Sequence, residues 1–161
     1  MIRGNRASLA VHSDVYTVAQ ISEMLGREPD RSGDIGDLTA AGRAGRDLSP
    51  ERLRYQRAFW TIDERDAGEG ADQTGFASLR RLVEDLVPRA DALARLRRGG
   101  ETILWWSGDS DSTQGGFVLD SDLIAALDQI GCDVYGTAYL EKVDPPCGDP
   151  DCGAEDPASR G

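Results

Sequence analysis

The chain has 161 residues, 39% hydrophobic and 29% charged, and 29 Asp plus Glu outweigh 18 Lys plus Arg for a formal net charge of −11. That length corresponds to one ordinary domain with its own core, the negative charge repels phosphate backbones and anionic lipid surfaces, and three cysteines do not make a disulfide scaffold. No window approaches the ~18 consecutive apolar residues of a membrane span, and the first residues lack the apolar stretch of a secretory signal, so the expectation is a cytoplasmic protein that engages neither nucleic acid nor membrane.

Residues 1–6 read as a flexible N-terminus. Over residues 6–13 (RASLAVHS), Ala7, Leu9 and Val11 alternate with Ser8, Ala10 and His12, the period of a half-buried strand. In TVAQISEMLG (17–26), Thr17 and Gln20 have the capping-box spacing, Val18, Ile21 and Leu25 lie close to one helical face, and Gly26 stands where helices commonly end. Residues 27–56 are polar and punctuated by Gly and Pro, which predicts a loop with one helical turn near Pro50. RAFWTID (57–63) reads as a second strand and residues 64–75 as another loop. From 76 to 98 Leu79, Leu82, Val83, Leu86, Leu93 and Leu96 keep helical spacing, but Pro88 cannot donate its backbone bond and should divide the segment in two.

TILWWS (102–107) is β-branched or aromatic on both faces, as a central strand covered on both sides would be. A loop at 108–116 leads to a short apolar piece, Phe117 to Leu119. The helix SDLIAALDQI (121–130) is capped by Asp120 or Ser121 and closed by Gly131, and 132–140 supplies the last strand. Residues 141–161 hold six acidic residues, two basic ones and four prolines without hydrophobic periodicity, the composition of an acidic disordered tail.

The first strand with the helix at 17–26, and Phe117 to Leu119 with the helix at 121–131, repeat one grammar. This doubling predicts an α+β ferredoxin-like sandwich: an antiparallel sheet of about four to five strands with helices on one face, in a single domain over residues 7–140. The order of SLAVHSD, TVAQISEMLGREPDRS, AFWTID, LRRLVEDLVPRADALARL and GGFVLDSDLIAALDQIGCDV also resembles the DUF4279 family, through Leu25, Gly26, Pro29, Trp60, Leu127 and Gly131. The stretches at 35–47 and 64–74 are longer than the family's compact pattern. The resemblance implies the fold; it carries no activity, cofactor or catalytic residue.

Few residues point to chemistry. Asp109 and Asp111, two apart in a loop flanked by glycines, could offer oxygen ligands to Ca²⁺ or Mg²⁺, but an EF-hand counted from Asp109 has Gln114 for its glycine and Asp120 for its bidentate Glu. A solvated turn is the plainer explanation. Cys147 and Cys152 could supply half a zinc site or a reversible disulfide, with only Cys132 and His12 left as further ligands. Cys132 reads as a small core residue. His12 is the sole histidine, and Ser13 and Asp14 beside it cannot form a triad, because neighbours on a strand face opposite ways. No nucleophile elbow, phosphate loop or zincin motif is present, so no cofactor and no catalytic residue are expected.

The tryptophans are the stronger signal. Trp105 and Trp106 must point to opposite sides of their strand, so one of them lies away from the helices. With Phe59 or Trp60 and with Tyr135 or Tyr139 it would form an aromatic binding surface, unless the loop at 27–56 folds across it. Arg80, Arg81, Arg89, Arg95, Arg97 and Arg98 concentrate positive charge on one helical segment, interrupted by Glu84, Asp85 and Asp91, which suggests a solvated face with i,i+4 pairs such as Glu84 with Arg80 or Arg81, or a dock for an acidic partner. The expected function is a non-enzymatic protein-binding or regulatory module, in one form an immunity-type protein that neutralises a toxin with a basic surface. The competing class is a small-molecule or divalent-metal binder or enzyme built on Asp109, Asp111 and the aromatic face.

Overall fold

The computed structural model describes residues 2–66, 74–110 and 117–140. Its elements in chain order are β1 (Ile2–Ser13), α1 (Val18–Leu25), β2 (Arg31–Gly33), α2 (Ala40–Arg43), α3 (Pro50–Leu53), β3 (Ala58–Asp66), α4 (Ala77–Leu86), α5 (Ala90–Arg98), β4 (Gly100–Ser110), α6 (Ser121–Ile130) and β5 (Asp133–Leu140), with a 3-10 turn at Val87–Arg89 joining α4 to α5. The strands form one open sheet in the order β2-β3-β1-β4-β5. The architecture is α+β.

Local signals account for most boundaries. Thr17 and Gln20 close the capping box on α1, with Gln20 N donating to Thr17 Oγ1 at 3.3 Å and Thr17 N to Gln20 Oε1 at 2.9 Å. Gly26 and Gly131 end α1 and α6 in the left-handed region, at φ 59° and 62°, where a side chain would be strained. Asp120, rather than Ser121, caps α6 by accepting from Leu123 N at 3.0 Å. Pro88 sits in the 3-10 turn where the long helical segment divides.

Period two sorts the strand side chains. Ala7, Leu9 and Val11 of β1, Ala58, Trp60 and Ile62 of β3, and Leu104 and Trp106 of β4 point to the face covered by helices, where they meet Ile21 and Leu25 of α1, Leu79, Leu82, Val83 and Leu86 of α4, Leu93 and Leu96 of α5, and Leu123 and Ile130 of α6. Among the described residues, the largest fully buried side chains all belong to this one layer between sheet and helices.

The structure corrects four expectations. The stretch read as a flexible N-terminus is strand from Ile2 onward: Ile2 is buried and opposite Ser110, and Asn5 and Arg6 face Asp66 and Arg65. The alternation was hidden there because Asn5 is a polar residue on the core side. The sheet is not antiparallel throughout, since β5 runs parallel to β4. With α6 between them in the chain, β5 can return beside β4 in the same direction, which a hairpin does not allow. The expected doubling fails at its second unit, because Phe117 to Leu119 are not a strand; β1–α1–β2 and β3–α4–α5–β4 instead build the antiparallel order β2-β3-β1-β4, to which α6 adds β5. Finally, residues 27–56 are more than loop: β2 adds an edge strand to β3, and Leu38 bridges Arg54. The expected tail at 141–161 lies outside the described residues.

Candidate functional site

Because helices cover one face, the other is open. Strand register places its side chains in rows that run from β3 through β1 and β4 towards β5: Phe59, His12 and Glu101; then Thr61, Ala10, Ile103 and Asp133; then Asp63, Ser8, Trp105 and Tyr135; then Arg65, Arg6, Ser107 and Thr137; and at the far end Asp109 and Tyr139. The central strand contributes only Ser8 and Ala10 between larger neighbours. Small residues in the middle leave a shallow depression of about 410 Å³, bounded by Phe59, His12, Trp105, Tyr139, Arg6 and Arg31.

The tryptophans divide as their positions demand. Trp106 is buried, its ring 4.6 Å from Phe76 and its Nε1 donating to Gly75 O at 3.2 Å. Trp105 stands on the open face, 47% exposed, 5.0 Å from the ring of Tyr135, itself 49% exposed. Trp60 is wholly buried and donates from Nε1 to Ser22 Oγ at 3.0 Å. Trp60 and Trp106 are therefore core residues and leave the expected surface; Phe59 and Tyr139 take their places. The loop at 27–56 covers only one end: Tyr55 stacks on Phe59 at 5.7 Å and 12°, and His12 lies against the same ring at 5.3 Å. Tyr55 can lie there because residue 33 is glycine; a Cβ would come within 2.3 Å of its ring.

Charge on this face is unevenly spread. At the β2–β3 side Arg6 and Arg31 both reach Asp63, at 2.7 and 3.5 Å, and largely neutralise it. Towards the aromatic side Asp133 and Asp109 are exposed beside Tyr135 and Tyr139, while Glu101 is paired with the Arg57 guanidinium at 3.5 Å. His12 titrates below its ordinary value of 6.5, chiefly because it is desolvated and secondarily because the Arg57 guanidinium repels its charged form, with Glu101 opposing. As pH falls through 6.5 the unfolded chain then takes up a proton before the folded one does, so His12 subtracts stability on acidification. We expect urea unfolding of His12→Gln to lose less stability than the parent between about pH 7.5 and pH 5; equal losses would show that His12 does not report on this face.

The other candidates fare differently. Asp109 ends the open face, and Asp111 lies outside the described residues, as do Cys147 and Cys152. Among the described residues no group of three or more His, Cys, Asp and Glu side chains converges. Cys132 is buried, 3.5 Å from Thr102 Oγ1. The helical arginines serve mostly as braces between elements: Arg80 pairs with Asp120 rather than Glu84, Arg81 donates to Arg65 O at 2.8 Å, Arg89 to Leu25 O at 2.7 Å, and Arg97 to Ile130 O at 2.5 Å. Arg6, Arg31, Ser8, Thr61, Ser107 and Thr137 were missed as site residues; once Leu9 is set inward, parity alone would have placed Arg6 and Ser8 outward.

No helix among the described residues is long and apolar enough to cross a membrane. A family model described as "Domain of unknown function (DUF4279)" matches residues 3–140. Neither curated proteins nor solved structures yielded a match.

Proposed function

The chain belongs to the DUF4279 family, and from that premise we propose that it is a non-enzymatic protein-binding or regulatory module that receives its partner on the aromatic half of the open sheet face. The observation that carries this is Trp105 packed on Tyr135 with about half of each side chain in water. Exposed paired aromatics are what an interface anchor offers: large apolar area, few rotatable bonds and polar tips.

The surroundings specify the partner. Asp109 and Asp133 give the anchor an acidic rim, and the whole chain carries −11. Such a rim steers a basic protein to the face and excludes polyanions, while the centre supplies the affinity. A cytoplasmic immunity-type protein that neutralises a toxin with a basic surface is one form of this module. The test is quantitative affinity capture from native lysate. Wild type should retain a stoichiometric basic protein, and Trp105→Ser with Tyr135→Ser should weaken that complex by roughly 30-fold or more, the loss typical of a hot spot of about 2 kcal/mol. Added salt should weaken it as well. If no stoichiometric partner is retained, or the double variant binds it as well as wild type does, the module does not work through this face.

The depression beside the anchor favours a second function on the same face, binding of a small molecule with an apolar ring and a hydrogen-bonding edge, met by Trp105 and by the hydroxyls of Ser8, Thr61 and Ser107. A ligand of that class would raise the melting temperature of wild type and leave that of Trp105→Ser unchanged.

A further inference from the structure

The sheet has two edges, and they are treated differently. At one, β2 has only three residues, and its Arg31 and the neighbouring Asp30 are charged. Short, charged strands end sheets safely. At the other edge β5 has eight residues, pairs only with β4 among the described strands, and is exposed from Asp133 to Tyr139. It carries none of the devices that blunt an edge: no proline, no lysine, and after Asp133 no charge as far as residue 140.

Apolar surface accompanies this edge on the helix side. Phe117, Leu119 and Leu127 stand over Val134, Gly136 and Ala138 of β5 and enclose an apolar pocket of about 230 Å³ floored by Phe76 and Trp106. Phe117, Val118, Leu119 and Val134 are between 40% and 55% exposed, and Ile124, one helical turn before Leu127, is 53% exposed. A contiguous apolar patch beside an unguarded edge strand marks a place of association.

We infer that β5 is the contact between two copies of this chain, which pair antiparallel along residues 134–140 about a two-fold axis at Thr137 and join their sheets into one. Three features favour a second copy. The strand is self-complementary in this register: Tyr135 faces Tyr139 of the second copy on the open side, twice over, which continues the aromatic row begun by Trp105, and Gly136 faces Ala138 on the helix side, where the pocket needs small residues. Opposed residues share a face, as antiparallel pairing requires. An axis at Gly136 would instead set glycine against glycine and leave Tyr139 opposite the charged Asp133. Finally, the ladder itself carries no charged residue from 134 to 140; the acids that bracket it, Asp133 of one copy and Glu141 of the other, fall beyond its two ends. In a chain of −11, an uncharged strand is a place where two like-charged bodies can meet, at an electrostatic cost set by these flanking acids that salt reduces.

The pairing has a signature that separates it from the proposed partner complex. Bodies of equal charge repel, so self-association tightens with salt, by roughly threefold or more from low to physiological ionic strength, whereas a basic partner is released. Light scattering across a concentration series should give a dimer mass for the full chain. Tyr139→Lys should return it to monomer with an unchanged circular dichroism melt, since that side chain is already more than half in water.

A register-specific test does not depend on that lysine. In the full chain carrying Cys147→Ser and Cys152→Ser, Thr137→Cys puts two thiols directly opposite, with Cα atoms about 4.5–5.5 Å apart and within disulfide reach. Mild oxidation should convert most of it to covalent dimer, while Ser8→Cys at the centre of the open face forms no cross-link. A wild type that remains monomeric at every concentration and salt, or a dimer that Thr137→Cys does not cross-link, overturns the inference.

Discussion

Trp60→Ala should cost about 3–5 kcal/mol of folding stability, while Trp105→Ala, in the same sheet, should cost about 1 kcal/mol. The two side chains have the same chemistry and differ in place. Trp60 is wholly buried between β3 and the helices, and its Nε1 donates to Ser22 Oγ of α1, itself 8% exposed. Truncation to alanine removes the ring from the centre of a close-packed layer and takes a partner from a buried hydroxyl. Trp105 gives up only its contact with Tyr135 and the half of its surface that the sheet covers. A domain is held by about 5–15 kcal/mol, so Trp60→Ala should be partly unfolded under conditions where Trp105→Ala is intact. Equilibrium urea unfolding of both variants checks this. Comparable losses would mean that the division of the tryptophans between core and surface is wrong.

How far that division could be read from the amino acids is uneven. That Trp105 and Trp106 face opposite ways follows from strand period alone. Which of them faces the helices does not, because both faces of TILWWS are apolar and the pattern fits either register. The same holds for Phe59 and Trp60: both are aromatic, and only pairing with β1, which aligns Trp60 with Val11 and Phe59 with His12, decides between them. Helix ends were legible because Thr17, Gly26 and Gly131 act on their own neighbours. Relations across the chain were not. The parallel β4–β5 pair depends on where α6 returns the chain, and β2 on three residues finding an edge 28 positions away. The open face was therefore anticipated as a face with tryptophan and tyrosine on it, while Arg6, Arg31 and the small residues Ser8 and Ala10 that hollow it out became visible only with the register.

Asn5 is another case of this non-locality, and Asn5→Leu should cost about 2 kcal/mol or more although it replaces a polar core-facing residue by an apolar one of similar size. Helix α4 begins without a local cap: Phe76 stands at its N-cap position and has no side-chain acceptor. The second residue of the helix, Ser78, has a backbone N–H with no carbonyl available a turn earlier. Asn5, 73 positions away on β1, supplies what is missing: its Oδ1 accepts from Ser78 N at 2.8 Å and also from the Ser78 hydroxyl. Asn5 is 7% exposed and Ser78 wholly buried, so water cannot take over. Leucine leaves two buried donors unpaired, each worth about 1–3 kcal/mol, and that outweighs the gain from apolar burial. Ser78→Ala alone removes one donor and keeps the backbone bond to Asn5, so it should cost clearly less than Asn5→Leu. In urea unfolding the order Asn5→Leu, then Ser78→Ala, then wild type, from least to most stable, tests the capping role; equal stability of Asn5→Leu and wild type would rule it out.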